Sequence, residues 1–352
     1  IGTGVGSDNM PSLEGLASIT ELISDELESG DLVVFKTTLP IGTTEEIAEN
    51  LSKRSGLKLD SELMVAFCPE RIVEGKAIEE LQTLPKIVGG IGPNSSERAV
   101  ELMKRMGEGE VLQVSDTRTA EMCKLLDNSY RMTRFGFSAD AALVAEINGI
   151  DAYEAIRTAN HDYPRNSIPL PSIGVSGYCL TKDPYYLDFS GENVWSERGF
   201  KSVWNYARVA ADYQLERTVK ILNRLFEGEV EGKAIVIGGV TYKEEVADIR
   251  ESHGIALLGM LLQEGFDVRI WDPICTEEEI LGIEVSRDSK IIEGAHGLIL
   301  TVPNMEFKRW SRNLENIEEM SRRLIFDGWG ILERVVCKEN SVELVGTGRG
   351  NR

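Results

Sequence analysis

The sequence predicts an α/β protein with two doubly wound sheets joined by a central helical domain. Three observations carry this. Short apolar, β-branched runs alternate with helical patterns over the first third of the chain, which calls for a largely parallel sheet. From about 119 to 160 a nearly uninterrupted helical pattern takes over, and a second helical run covers roughly 200–227. After that the alternation returns. The boundaries implied are 1–118, 119–218 and 219–352.

Taken in order, Leu13, Leu16, Ile19, Leu22, Ile23 and Leu27 recur at helical spacing, with Pro11 and Ser12 at the start and Gly30 at the stop. "DLVVFKTT" follows and reads as a buried strand. "TTEEIAENL" opens the next helix, with Thr43 and Glu46 placed as a capping box. "LMVAFC", "KIVGG" and "EVLQV" are further strands. Past the helical middle, "KAIVIGG", "DVRIWDP", "GLILTV" and "RLIFDGWG" are strands, with "IALLGMLLQEG" a helix between the first two. The opening "IGTGVGSD" reads G-x-G-x-G rather than G-x-G-x-x-G, and Asp8, Asn9 and Pro11 make it a loop instead of a dinucleotide fingerprint.

Composition narrows the function. The formal charge is −20, from 58 acidic and 38 basic residues, which argues against a nucleic-acid surface but leaves room for a small anion held by a few local cations. The five cysteines (Cys68, Cys123, Cys179, Cys275, Cys337) form no C-x-x-C pair, and the three histidines form no H-E-x-x-H. A reducing compartment fits, and neither a disulfide scaffold nor a metal centre is expected. The apolar run "GIALLGMLL" is too short to span a bilayer. With no signal peptide at the start, the cytoplasm is the simplest address.

Three segments place polar residues four apart. In "CPERIVEG", Pro69 suits a first helical position and Gly75 a stop, putting Glu70 and Glu74 on one face. In "CKLLDNSYR", Lys124 and Asn128 share a face, with Arg131 further along. "CLTKDP" repeats the spacing with Cys179 and Asp183. Each alone is the pattern of a solvated face or a capping pair. Together they form a kit for acyl transfer. Cys179, after a glycine turn and before a helix, feels the positive end that favours thiolate. Lys124 and Asn128 can stabilise an oxyanion, and Glu70, Glu74 and Asp183 can move protons or hold a hydrolytic water.

These segments, with "KTTLPIGTTEE", "FCPERIVEGKAIEEL", "ANHDYPRNSI" and "YKEEVADIRES", resemble the UDP-sugar 6-dehydrogenases of the UDP-glucose/GDP-mannose dehydrogenase type. The similarity is greatest to the branch acting on UDP-N-acetylmannosamine. The resemblance implies oxidation of a sugar C6 alcohol to a carboxylate with two NAD per substrate, through a Cys179 thiohemiacetal and thioester. It implies an oxyanion and proton-handling role for Lys124 and Asn128, an acid/base role for Glu70, and a water-organising role for Asp183. NAD would meet Thr3, Thr37, Thr38, Glu74, Lys182 and Arg250. The UDP-sugar would meet Arg71, Ile72, Lys124, Asn128, Arg131, Arg165, Ser176, Gly177, Tyr242 and Lys243; arginine suits a diphosphate because it binds bidentately. A homodimer or larger homo-oligomer through the central helix is also implied.

The sequence departs from the family in places. The glycine-rich run before the cysteine is here Ser172, Ile173, Gly174, Val175, Ser176 and Gly177, Glu244 replaces a proline, and Trp329 stands where a basic residue is common. Family members also carry a further βαβαβ stretch with the G-x-G-x-x-G, so the first Rossmann-like domain is expected to be incomplete and its N-terminal half absent from this chain. Two other readings stand beside the dehydrogenase. One is a redox-inactive fragment that binds a UDP-sugar or dimerises; the other is a cysteine hydrolase built on Cys179, which lacks a nearby histidine.

Overall fold

The computed structural model describes residues 2–6 and 8–350. The chain falls into two compact units, each made of two stretches: Ile1–Tyr130 with Lys182–Asn205, and Arg131–Thr181 with Tyr206–Arg352.

The first unit opens with a small antiparallel pair, β1 (Gly4–Val5) and β2 (Pro11–Ser12). The opening glycines thus sit in a hairpin and not in a strand–turn–helix. There follow α1 (Glu14–Ser24), β3 (Asp31–Phe35), α2 (Thr43–Ser55), β4 (Leu63–Phe67), α3 (Ala77–Thr83), β5 (Lys86–Gly90), α4 (Pro93–Lys104) and β6 (Val111–Gln113). The sheet order is β3-β4-β5-β6. Its two faces are covered separately, because alternate strand residues point oppositely. Leu63, Val65 and Phe67 of β4 pack in one cluster with Leu16, Phe35 and Leu51, whereas Ala66 packs with Val88, Ala99 and Met103.

Helix α1 starts at Glu14 rather than Ser12, because Pro11 and Ser12 are held in β2. The sheet is not wholly parallel: β3–β4 and β5–β6 are, but β4 and β5 run antiparallel. A parallel crossover needs a helix that buries a face on the sheet. Helix α3 buries no residue, and the chain doubles back.

The capping box at Thr43 is not formed. The residue preceding α2 is Gly42, in a left-handed conformation with no side-chain cap. The free amides are taken instead by the buried Glu121, which accepts from Gly42 N–H (2.6 Å), Thr44 N–H (2.8 Å) and the Thr44 hydroxyl (2.6 Å). The helix expected over "CPERIVEG" is also absent. Cys68 N–H and Glu70 N–H instead donate to the carbonyls of Phe35 and Lys36, so this segment runs on extended past β4.

The central helices are α5 (Thr117–Ile147), α6 (Ala152–Asn160), α7 (Tyr178–Ser190), α8 (Glu192–Arg198) and α9 (Val203–Leu225). The run expected from 119 to 160 breaks between α5 and α6, where Asp151 caps α6 by accepting from Tyr153 and Glu154 N–H. Within the second unit α5 and α9 approach closely. A Cβ on Gly136 would lie 2.4 Å from Ala207 Cα.

The second unit continues with β7 (Ala234–Gly238), α10 (His253–Glu264), β8 (Asp267–Trp271), β9 (Glu279–Ile280), β10 (Ile283–Ser286), β11 (Gly297–Leu300), α11 (Met305–Trp310), β12 (Leu324–Asp327), α12 (Arg334–Glu339) and β13 (Glu343–Gly346). The seven strands are ordered β13-β12-β11-β7-β8-β10-β9, parallel except for β9 against β10. The six parallel strands have the doubly wound order, and the direction in which successive strands are added reverses between β7 and β11. Ligands bind such sheets outside the carboxyl ends at that reversal. Ile235, Ile237 and Phe326 fill one face; Val236, Leu298 and Leu300 fill the other.

Candidate active site

In the first unit the predicted residues gather at the carboxyl end of β3. Thr37 and Thr38 follow that strand. The Thr3 hydroxyl donates to Thr38 O (2.7 Å) and lies 3.5 Å from the Thr37 hydroxyl. Lys182, on α7, donates to the Thr3 carbonyl (3.2 Å) and hydroxyl (3.3 Å). Its Nζ is also 3.6 Å from Asp183 Oδ1.

Asp183 is fully buried. Asn128 Nδ2 donates to its Oδ2 at 2.5 Å, while Oδ1 has no hydrogen-bond partner. Burial pushes the Asp183 carboxyl above the ordinary aspartate range, and the positive charges of Lys182 and Lys124 pull it back only in part. Lys124 and Asn128 are themselves buried on α5. The result is a desolvated group of two ammoniums, an amide and a carboxylate whose Oδ1 faces the Lys182 ammonium.

Glu70 and Glu74 are not on a shared helix face. Glu70 pairs with Lys36 (3.1 Å) and accepts from Arg71 and Ile72 N–H. Burial alone would raise its carboxyl, but the Lys36 contact and these amides hold it below the ordinary glutamate range. It is therefore an ionised base at neutral pH. Glu74 is exposed in a turn. Arg71 is paired with Asp127 (2.9 Å). Lys36 and Asp127 join the site without any motif that marks them in the sequence. The one available signal was position: Lys36 follows β3 directly, and Asp127 lies next to Asn128 on α5.

In the second unit Cys179 is exposed in the first turn of α7, directly after Gly177, whose φ of +96° suits glycine. A Cβ there would also come within 3.1 Å of the Tyr242 ring. Tyr242 and Lys243 follow β7, at the reversal of the sheet. Ser176 is held by His253 of α10: the hydroxyl contacts Nδ1 and accepts the His253 N–H (3.0 Å). Arg131 and Arg165 are exposed, the latter over the Tyr163 ring. Arg250 is paired with Asp248.

Among the described residues, no group of His, Cys, Asp or Glu is placed to hold a metal ion. No helix of the described residues is long and apolar enough to cross a membrane.

Comparison with known proteins agrees with these motifs. Residues 1–107, 118–201 and 236–334 match, in turn, the NAD-binding, central and UDP-binding domains of the UDP-glucose/GDP-mannose dehydrogenase family. A UDP-N-acetyl-D-mannosamine dehydrogenase of Methanocaldococcus jannaschii is 30% identical over 332 residues, covering 94% of this chain and 73% of the relative. The chain belongs to this family. It is an NAD-dependent oxidoreductase of the UDP-sugar dehydrogenase kind. An NDP-N-acetyl-D-galactosaminuronic acid dehydrogenase of Ralstonia solanacearum is also 30% identical, over 92% of this chain and 76% of its own. The solved UDP-D-ManNAc dehydrogenase of Pyrococcus horikoshii superposes with a TM-score of 0.86 at 28% identity, over 100% of this chain and 80% of that one.

The match over residues 1–107 corrects the expectation that the N-terminal Rossmann half is absent. The stretch from β1 to α4 represents the family's NAD-binding domain. The signature G-x-G-x-x-G does not occur in the 352 residues, whereas β3, β4 and β5 and the threonines after β3 all lie within the matched stretch.

Proposed function

We propose that the protein oxidises the C6 alcohol of UDP-N-acetyl-D-mannosamine to the uronic acid in two NAD-dependent steps, through a thioester on Cys179. The observation carrying this reading is the α7 sequence of chemistry: a thiol in the first helical turn and, one turn on, a buried carboxylate bonded to Asn128. The names of the relatives support the sugar.

Thr3, Thr37, Thr38, Glu74, Lys182 and Arg250 would hold NAD; hydroxyl and ammonium donors at a strand's carboxyl end suit a dinucleotide. When bound, NAD accepts a hydride in each oxidation. Glu70, ionised, takes the proton from the alcohol, and Lys124 with Asn128 stabilises the oxyanion. The Cys179 thiolate adds to the resulting C6 aldehyde, giving a thiohemiacetal. After the second oxidation, water held by the Asp183 carboxylate attacks the thioester, expelling thiolate and releasing the acid. Arg71, Ile72, Arg131, Arg165, Tyr242 and Lys243 are proposed to bind the UDP-sugar, with Gly177 giving it close approach to the backbone.

A second copy of the chain is the proposed partner of α5. Tyr130, Phe137 and Val144 recur every seven residues along this helix and are each at least 60% exposed, the spacing of a self-pairing seam.

The test is Cys179→Ser. A serine hydroxyl is almost wholly protonated near neutral pH, so turnover to acid falls about a thousandfold, with sugar-nucleotide mass retained on the protein as a slow ester. Acid production near normal, with two NADH per sugar, removes the covalent route. A panel of UDP-sugars giving no NADH from any of them would favour the redox-inactive reading.

A further inference from the structure

The loop leading to Cys179 is secured at several points. Ile173 N–H donates to Gly328 O (2.8 Å), the Ser172 hydroxyl to Gly174 O (2.7 Å), and Gly177 N–H to Glu251 O (3.3 Å). The remaining tie is Ser176 to His253. Its direction follows from the far side of the ring. His253 Nε2 is 2.7 Å from the Thr301 carbonyl, which can only accept. Nε2 therefore carries the proton, and Nδ1 presents a lone pair. The Ser176 hydroxyl must then donate to Nδ1, while it accepts the His253 backbone N–H. Thr301 O also takes the Trp329 indole N–H (2.6 Å), so both groups pointing at it are fixed.

Several features show that this arrangement is built for that geometry. His253 is buried. Its Cβ lies 3.5 Å from where a Cβ on Gly174 would be, so the imidazole is packed against the same loop. A glycine or alanine at position 176 could not make the contact. The hydroxyl expected to meet substrate is instead committed to the protein.

We propose that His253 is a positioning residue for Cys179: acting through Ser176, it fixes the left-handed turn at Gly177 and so sets the orientation of the thiol in the first turn of α7. This rests on the reading of Cys179 as nucleophile. Catalysis by an attacking atom is steep in position, and a misplacement of about 1 Å costs on the order of a hundredfold.

The experiment compares Ser176→Ala, Ser176→Thr and Ser176→Gly in the full chain. The readouts are the rate of Cys179 alkylation by iodoacetamide followed by mass spectrometry, kcat and KM, and melting temperature. The expected result for Ser176→Ala is at least a threefold change in Cys179 alkylation and about a tenfold loss of kcat. KM for the sugar nucleotide should be nearly unchanged and melting little altered. Ser176→Thr, which keeps the hydroxyl, should restore both rates. Ser176→Gly should behave as the alanine form does, and serves if that form is unstable.

Unchanged alkylation in both hydroxyl-free variants overturns the proposal whatever the kinetics. So does kcat within twofold of the parent in an enzyme that Cys179→Ser inactivates. If Cys179→Ser keeps its turnover while loss of the hydroxyl still changes alkylation, the nucleophile assignment has failed and the positioning contact stands.

Discussion

His253 shows how far a residue's surroundings can move its chemistry. Burial in the second unit drives its pKa from 6.5 down to about 4, and the Thr301 carbonyl opposes this only weakly. For a base whose folded pKa is depressed, stability is complete above the unfolded value and is lost as pH falls toward the folded one. Between pH 7 and 4 the loss approaches about 3 kcal/mol, at about 1.4 kcal/mol per pKa unit. Asp183, raised by burial, acts in the opposite sense, so the comparison must be with a variant. Urea midpoints of the parent should fall more steeply from pH 7 to 4.5 than those of His253→Gln; parallel profiles would show that the imidazole is not held neutral. At this scale the sequence was informative where chemistry lies close along the chain. Cys179, Lys182 and Asp183 share a helix, and Lys124 and Asn128 share another. It was blind where the partner comes from elsewhere. The separation of 77 positions from Ser176 to His253 leaves no local pattern, and neither does the ion pair of Lys36 with Glu70.

Among the elements, strands read most clearly, because a buried β-branched run needs no partner to be recognised. Helix ends read least clearly. Thr43 and Glu46 had the spacing of a capping box, yet Glu121 arrives from α5 to satisfy the same amides, and a buried carboxylate accepting three bonds outcompetes a local hydroxyl. Glu121→Ala would strand these donors in a buried site. It should destabilise the protein by about 3 kcal/mol, and Glu121→Gln, which keeps one acceptor oxygen, by roughly half of that. Urea unfolding measures both; a loss below about 1 kcal/mol for the alanine form would mean that water replaces the carboxylate. "CPERIVEG" misled for a related reason. The i, i+4 spacing of Glu70 and Glu74 suits a helix, but the backbone amides of Cys68 and Glu70 are already used by carbonyls beside β3.

For the whole chain, the charge of −20 sets a test of its own, since both NAD and a UDP-sugar are anions. At about 10 mM salt the Debye length is roughly 30 Å and the net charge repels them; at about 0.1 M it is roughly 10 Å and only nearby groups count. The proposed contacts Arg71, Arg131, Arg165 and Lys243 then dominate. kcat/KM should rise from low to moderate salt and fall again near 1 M, where those contacts are screened as well. A steady fall from the lowest salt would show that local cations govern throughout. Self-pairing through α5 is checked by light scattering: Phe137→Glu with Val144→Glu should convert a dimer to a monomer, and an unchanged mass would place the seam elsewhere.

The division of the chain into interleaved stretches has a temporal consequence. The first unit is interrupted after Tyr130 and resumes at Lys182, and the resumed stretch supplies Lys182 to Thr3, Asp183 to Asn128, and Tyr186 to the Gly4 carbonyl. During synthesis those partners are missing for as long as the ribosome takes to add the intervening residues, a few seconds at roughly 5–20 residues per second. Through that interval the nascent β3–β6 sheet waits with Lys124 lacking a nearby carboxylate and Asn128 its acceptor. The order of translation therefore delivers Asp183, the carboxylate proposed to hold water, only after the sheet and the α5 residues it joins have been made.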